Sequence, residues 1–104
     1  MPTYILLSRW TDQGIKNVDQ VANREKGATA AAAGMQVSQT LYFTLGEYDA
    51  VNIIEAPDDD TAAAFALEIG THGNLRTTTM RAFTAPEFLD LLAKRPRWSI
   101  PESD

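Results

Sequence analysis

The sequence contains no cysteine, which excludes disulfide scaffolds, thiol nucleophiles, zinc knuckles and thiolate-held clusters. It contains a single histidine, His72, so a metal centre or acid–base pair built on two imidazoles lacks its second member. Basic residues are few: 9 Lys and Arg are scattered among 14 Asp and Glu, for a formal charge of -5. A nucleic-acid binder gains affinity by releasing counterions to clustered cations, so no nucleic-acid partner is expected. Long apolar runs are missing as well. The stretch Met1-Pro2-Thr3-Tyr4-Ile5-Leu6-Leu7 has no basic leader and stops at Ser8-Arg9, too short for a signal peptide or for the ~20 residues that span a bilayer. We therefore expect no membrane association and a cytoplasmic location.

What is present fits one folded unit. With 104 residues and 44% hydrophobic composition, the chain can bury a core without cross-links, and we expect a single domain over residues 1–96 followed by an irregular tail at 97–104. Residues 3–10 form a short apolar run of β formers, suited to a strand covered on both faces. Thr11-Asp12 offers a helix cap, and Ile15, Val18, Val21 and Ala22 recur at helical spacing. The alanine run at 28–33 supplies helix propensity, and Gly34 is placed to end the helix in the left-handed conformation. Residues 35–44 alternate as a second strand, with Tyr42 on the polar side, and 48–56 follow after Gly46 as the third, so the two read as a hairpin.

Pro57 closes that strand and Asp58 caps the next helix, with Asp59 and Asp60 at the positive end of its dipole and Ala62, Phe65, Ala66 and Ile69 as its buried stripe. Residues 75–83 are the fourth strand, in which Arg76 and Arg81 differ in parity and point to opposite faces. Thr84 and Glu87 form a capping box, with Pro86 in the first turn of an extra C-terminal helix that Pro96 stops. The order β-α-β-β-α-β, with right-handed crossovers, defines an α+β domain whose two helices cover one face of a four-stranded antiparallel sheet. The second sheet face then carries Tyr42, Ile54 and either Met80 or Phe83. A monomer rarely leaves such a surface in water, so a homodimer is expected, with two copies packed on this face or with strands extending across into a partner sheet.

Five stretches together resemble one family. They are residues 11–17 (Thr11-Asp12-Gln13-Gly14 onward), the connection Leu45-Gly46-Glu47-Tyr48-Asp49, residues 54–59, residues 73–79 (Gly73-Asn74-Leu75-Arg76 onward) and Arg81-Ala82-Phe83-Thr84. The chain is similar over residues 2–92 to the GYD domain family, whose Gly, Tyr and Asp correspond to Gly46, Tyr48 and Asp49. The resemblance implies a bacterial protein with a ferredoxin-like fold of the dimeric α/β-barrel type. It supplies no chemistry and does not reach residues 97–104.

Most candidate site residues also have a plainer structural account. Gly46, Tyr48 and Asp49 offer a donor, an acceptor and an aromatic face, but a turn glycine, an amide-binding Asp and a stapling Tyr account for them as structure. His72 stands at a helix exit, where the dipole alone favours it. Lys16, Arg24, Arg76 and Arg81 are candidates for a small anion, with surface pairing to Glu25, Glu47 or Glu55 the plainer assignment. Asp58-Asp59-Asp60 begins a helix, and no calcium-loop spacing follows, so neither a metal nor another cofactor is expected. No nucleophile elbow, phosphate loop or dinucleotide fingerprint appears.

Three functions compete. The first is a small-molecule pocket, between sheet and helices or along a dimer seam, using Tyr42, Asn52 and Arg76 as polar groups among apolar walls. The second is a structural or protein-partner role drawing on the pairing faces and on Trp98 and Ile100. The third is a cofactor-independent enzyme resembling small monooxygenases, with Trp10, Tyr42, Asn52 and His72 as its groups, an analogy from fold alone.

Overall fold

A computed structural model describes residues 1–96 and Trp98. Its strands are β1 (Thr3–Trp10), β2 (Ser38–Phe43), β3 (Ala50–Glu55) and β4 (Leu75–Ala82), and its helices are α1 (Asp12–Lys16), α2 (Val21–Gly34), α3 (Asp59–Thr71) and α4 (Ala85–Lys94). The strands form one antiparallel sheet in the order β2-β3-β1-β4, consistent with a ferredoxin-like α+β fold. The chain order is not a plain β-α-β-β-α-β, because the first crossover is broken into α1, a 3-10 turn at Val18–Gln20 and α2, and α4 is appended. Of the expected tail at 97–104, only Trp98 lies within the described residues, and it is exposed.

The broken crossover has a local cause. Thr11 caps α1 by accepting from the Gly14 amide, while its own N–H and hydroxyl donate to the carbonyls of Asn74 and Gly73. Gly14 is thereby pressed against the β4 entry: a Cβ built there would lie 2.0 Å from the Asn74 oxygen. The helix follows this glycine and not the spacing of Ile15 and Val18, both of which remain exposed. At the far end of α2 the left-handed residue is Gln36, φ 59°, and not Gly34, which is still helical. An extra turn through Met35 carries the chain around before β2 begins.

Strand parity divides the sheet. Tyr4, Leu6 and Ile54 from the sheet, Ala62 and Phe65 from α3, and Ala32 from α2 form the buried core. Asp58 caps α3 through the Thr61 amide at 2.8 Å. Ile54 is fully buried beneath the helices, contrary to its expected place on the open face, because β2 and β3 pair with Leu41 opposite Asn52 and Gln39 opposite Ile54. A one-residue difference in register exchanges every side chain between faces. The open face instead carries Ile5, Leu7, Tyr42, Val51, Ile53, Arg76 and Met80, of which Tyr42, Ile53, Arg76 and Met80 are exposed.

The capping box of α4 is present, with Thr84 N–H donating to Glu87 Oε1 at 2.8 Å and Glu87 N–H to Thr84 Oγ1 at 3.2 Å. None of the helix's residues is buried. Phe88, Leu89, Leu91 and Leu92 therefore face outward. Among the described residues no helix is long and apolar enough to cross a membrane.

Candidate ligand cavity between the helices and the sheet

The helix-covered face of the sheet is only half filled. Along β1 the inward side chains run Tyr4, Leu6, Ser8, Trp10, and opposite them along β3 run Ile54, Asn52, Ala50. Tyr4, Leu6 and Ile54 are large and apolar and belong to the core; Asn52, Ser8 and Ala50 are small or polar. Across from them, α2 presents Gly27, Ala28 and Ala31, which reach little distance from the helix. The outcome is a cavity of about 600 Å³, walled by Leu6, Phe65, Ile69 and Leu75 and bordered by Arg24, Gln39, Asn52 and His72. That volume falls within the ~300–1,000 Å³ usual for small-molecule sites.

The polar groups of this cavity are unevenly satisfied. Asn52 is 6% exposed; its Nδ2 donates to Gln39 Oε1 at 2.8 Å, while its Oδ1 is buried with no hydrogen-bond partner among the described residues. A buried amide oxygen left unpaired costs about 1–3 kcal/mol. Arg24 stacks its guanidinium 5.5 Å from the centre of the Trp10 ring, and its Nη2 is likewise buried without a partner. Trp10 is in turn stacked on Phe43, with ring centres 6.1 Å apart and planes 9° from parallel. At the mouth, His72 Nε2 lies 3.3 Å from Glu68 Oε1.

The Gly46–Asp49 connection positions this wall from behind. Gly46 adopts φ 110°, a conformation that side-chain-bearing residues avoid. The returning chain then offers Asp49 Oδ2 to the Trp10 amide at 2.8 Å, while Asp49 N–H donates to the Ser8 carbonyl at 2.8 Å. Arg9 is held on the outer side by Glu47 at 2.7 Å, with its guanidinium 4.8 Å from the Tyr48 ring centre. The loop thus clamps the end of β1, a long-range contact that a local hairpin reading does not foresee.

Of the three residues expected to share a pocket, the structure brings only Asn52 into the cavity. Tyr42 and Arg76 lie on the open sheet face, but on the opposite edge strands β2 and β4; the observed register turns Asn52 away from Tyr42 and places it opposite Leu41. Of the groups named for an enzyme, Trp10, Asn52 and His72 line the cavity and Tyr42 does not. Arg24, for which surface ion pairing was the plainer expectation, has no carboxylate within 4.0 Å among the described residues. Its stripe mates Val21, Ala28 and Ala31 at helical spacing were the available signal.

A second, more open groove runs between α3 and β4. Two of its polar side chains are already partnered: the Tyr4 hydroxyl donates to Asp59, and Arg81 donates to the backbone carbonyls of Thr3 and Ala82. Among the described residues no cluster of three or more His, Asp or Glu is arranged to hold a metal.

Comparison with known proteins identifies the lineage. The chain is 33% identical over 99 residues to the "Glutamine synthetase and cystathionine beta-lyase binding protein" of Thermus thermophilus, covering 86% of this chain and 96% of that protein. No solved structure matches the chain. The family model described as GYD domain matches residues 4–92, from the first inward residue of β1 into α4, and the chain belongs to the GYD domain family.

Proposed function

We propose that this chain is a binding protein whose cavity between α2, α3 and the sheet takes a small molecule. The observation that carries the reading is Asn52: a side chain 6% exposed, at the cavity floor, with an unpartnered acceptor. An apolar residue of similar size would fill that position at lower cost, so the amide is best accounted for by a partner that arrives from outside. Thermal unfolding against a broad metabolite panel tests it. A ligand present at 100 times its Kd adds about 2.7 kcal/mol and raises Tm by ~10 °C in a domain of this size; equal Tm across the panel contradicts the reading.

A second reading, docking of protein, is supported by a separate observation. The apolar residues of α4 and the open sheet face lie in water in the single chain, and the Thermus relative is named for binding two enzymes. A second copy of the chain is the first partner to examine, since two open sheet faces are mutually complementary in apolar character. Sedimentation at micromolar concentration is expected to give a dimer. An 11.4 kDa species alone would remove self-pairing and leave the named enzymes as the partners to try.

A further inference from the structure

Resting on the small-molecule reading above, we infer that the ligand is a small carboxylate that also carries an N–H or O–H donor on an apolar body. Arg24 receives the carboxylate and Asn52 Oδ1 receives the donor.

Asn52 is one end of a short chain of amide bonds. Gln39 Nε2 donates to Thr29 Oγ1 at 3.3 Å, and Asn52 Nδ2 donates to Gln39 Oε1 at 2.8 Å. The Asn52 atom left without a partner among the described residues is therefore an acceptor. An acceptor selects a ligand donor.

Arg24 supplies the opposite demand. A guanidinium stays charged at all physiological pH values, and its fork matches a carboxylate. Its Nη2 is buried and unpartnered, no acid pairs with it among the described residues, and the nearby Glu68 is engaged by His72. The flat Trp10 ring holds the guanidinium by cation–π attraction, which consumes none of its N–H donors. One cation flanked by Glu25 and Glu68 suits a monoanion and repels a polyphosphate. The walls of Leu6, Phe65, Ile69 and Leu75 require an apolar body.

Six probes on two aromatic bodies without a donor of their own separate these demands: phenyllactate and naphthyllactate, with carboxylate and hydroxyl; phenylpropionate and naphthylpropionate, with carboxylate alone; and the methyl esters of the two lactates, with hydroxyl alone. Each is titrated into the isotope-labelled chain and followed by nuclear magnetic resonance. A lactate is expected to bind, with the matching propionate and ester each about tenfold or more weaker, the loss expected for one charged or buried hydrogen bond. Arg24→Met is expected to abolish the acid-over-ester preference, and Asn52→Leu the lactate-over-propionate preference. Propionates or esters binding as well as the lactates in the unmodified chain would overturn the ligand class whatever the variants do. Failure of all six at millimolar concentration overturns it too. A collection of uncharged fragments then tells the two readings apart: fragments that shift Asn52 keep the small-molecule site without this ligand class, and none that do retires both.

Discussion

Asn52 on the central strand β3 is tied through Gln39 on β2 to Thr29 on α2, by hydrogen bonds of 2.8 and 3.3 Å, and the chain of bonds ends on a free oxygen. Stability gains little from such an arrangement. Asn52→Leu removes the unpaired acceptor, and Gln39, only half-buried, can turn to water. The variant is expected to be as stable as the parent or up to ~1 kcal/mol more stable in urea denaturation. A loss above ~2 kcal/mol would mean that the amide serves the fold.

Two glycines of the first crossover should respond oppositely to alanine. Gly14→Ala drives a methyl group to 2.0 Å from the Asn74 oxygen, and that oxygen is held by the Thr11 amide at 3.0 Å. A loss of about 2–3 kcal/mol is expected. Gly27 lies inside α2 with nothing within 4 Å of its Cβ position, so Gly27→Ala is expected to gain ~0.5–1 kcal/mol. Denaturation midpoints of the two variants check both signs.

The clamp at Gly46–Asp49 predicts a coupling between loop and cavity wall. Asp49→Ala leaves the Trp10 amide without its carboxylate partner and is expected to cost about 1–2 kcal/mol. In a Trp98→Phe background it should also shift Trp10 fluorescence to longer wavelength as the Trp10–Phe43 stack loosens. Gly46→Val, at φ 110°, is expected to cost ~2 kcal/mol through backbone strain. Full stability with altered binding in Gly46→Val would make the loop part of the site itself.

Stability should fall at both pH extremes through identifiable groups. Burial first, then the hydrogen bond to Asp59, pushes the Tyr4 phenol up to about 12 from 10.0. A raised value means that the fold favours the neutral phenol, so its contribution is whole below about pH 10 and lost as pH rises toward about 12. Tyr4→Phe should flatten the basic limb in that window. At the acid end, hydrogen bonds from the backbone and then the side chain of Thr84 hold the Glu87 carboxyl below its ordinary 4.5. That contribution is present above pH 4.5 and lost as pH falls further. Glu87→Gln, which leaves no carboxyl there to take up a proton, should therefore make denaturation less steeply pH-dependent below 4.5.

The sequence made the elements legible wherever a local rule governed them. The cap at Asp58, the box at Thr84 and Glu87, the stripe of Ala62 and Phe65, and the opposite faces of Arg76 and Arg81 all follow from spacing within one element. What it concealed depended on contacts between distant segments. The break at Gly14 is dictated by Asn74, the clamp on Trp10 by Asp49, and the face of Asn52 by β2–β3 register. The cavity was hidden for another reason: Gly27, Ala28 and Ala31 read as ordinary helix formers, and only opposite Ser8, Ala50 and Asn52 does their small size become a volume.

The side-chain amide resonances of Asn52 and Gln39 offer the most direct measurement, followed while metabolites and fragments are added to the labelled chain. Binding in the cavity predicts that both signals shift with a common saturation curve, while Tyr42 and Arg76 on the open face stay still. Shifts confined to the open face, or none at Asn52 with any compound, would contradict it.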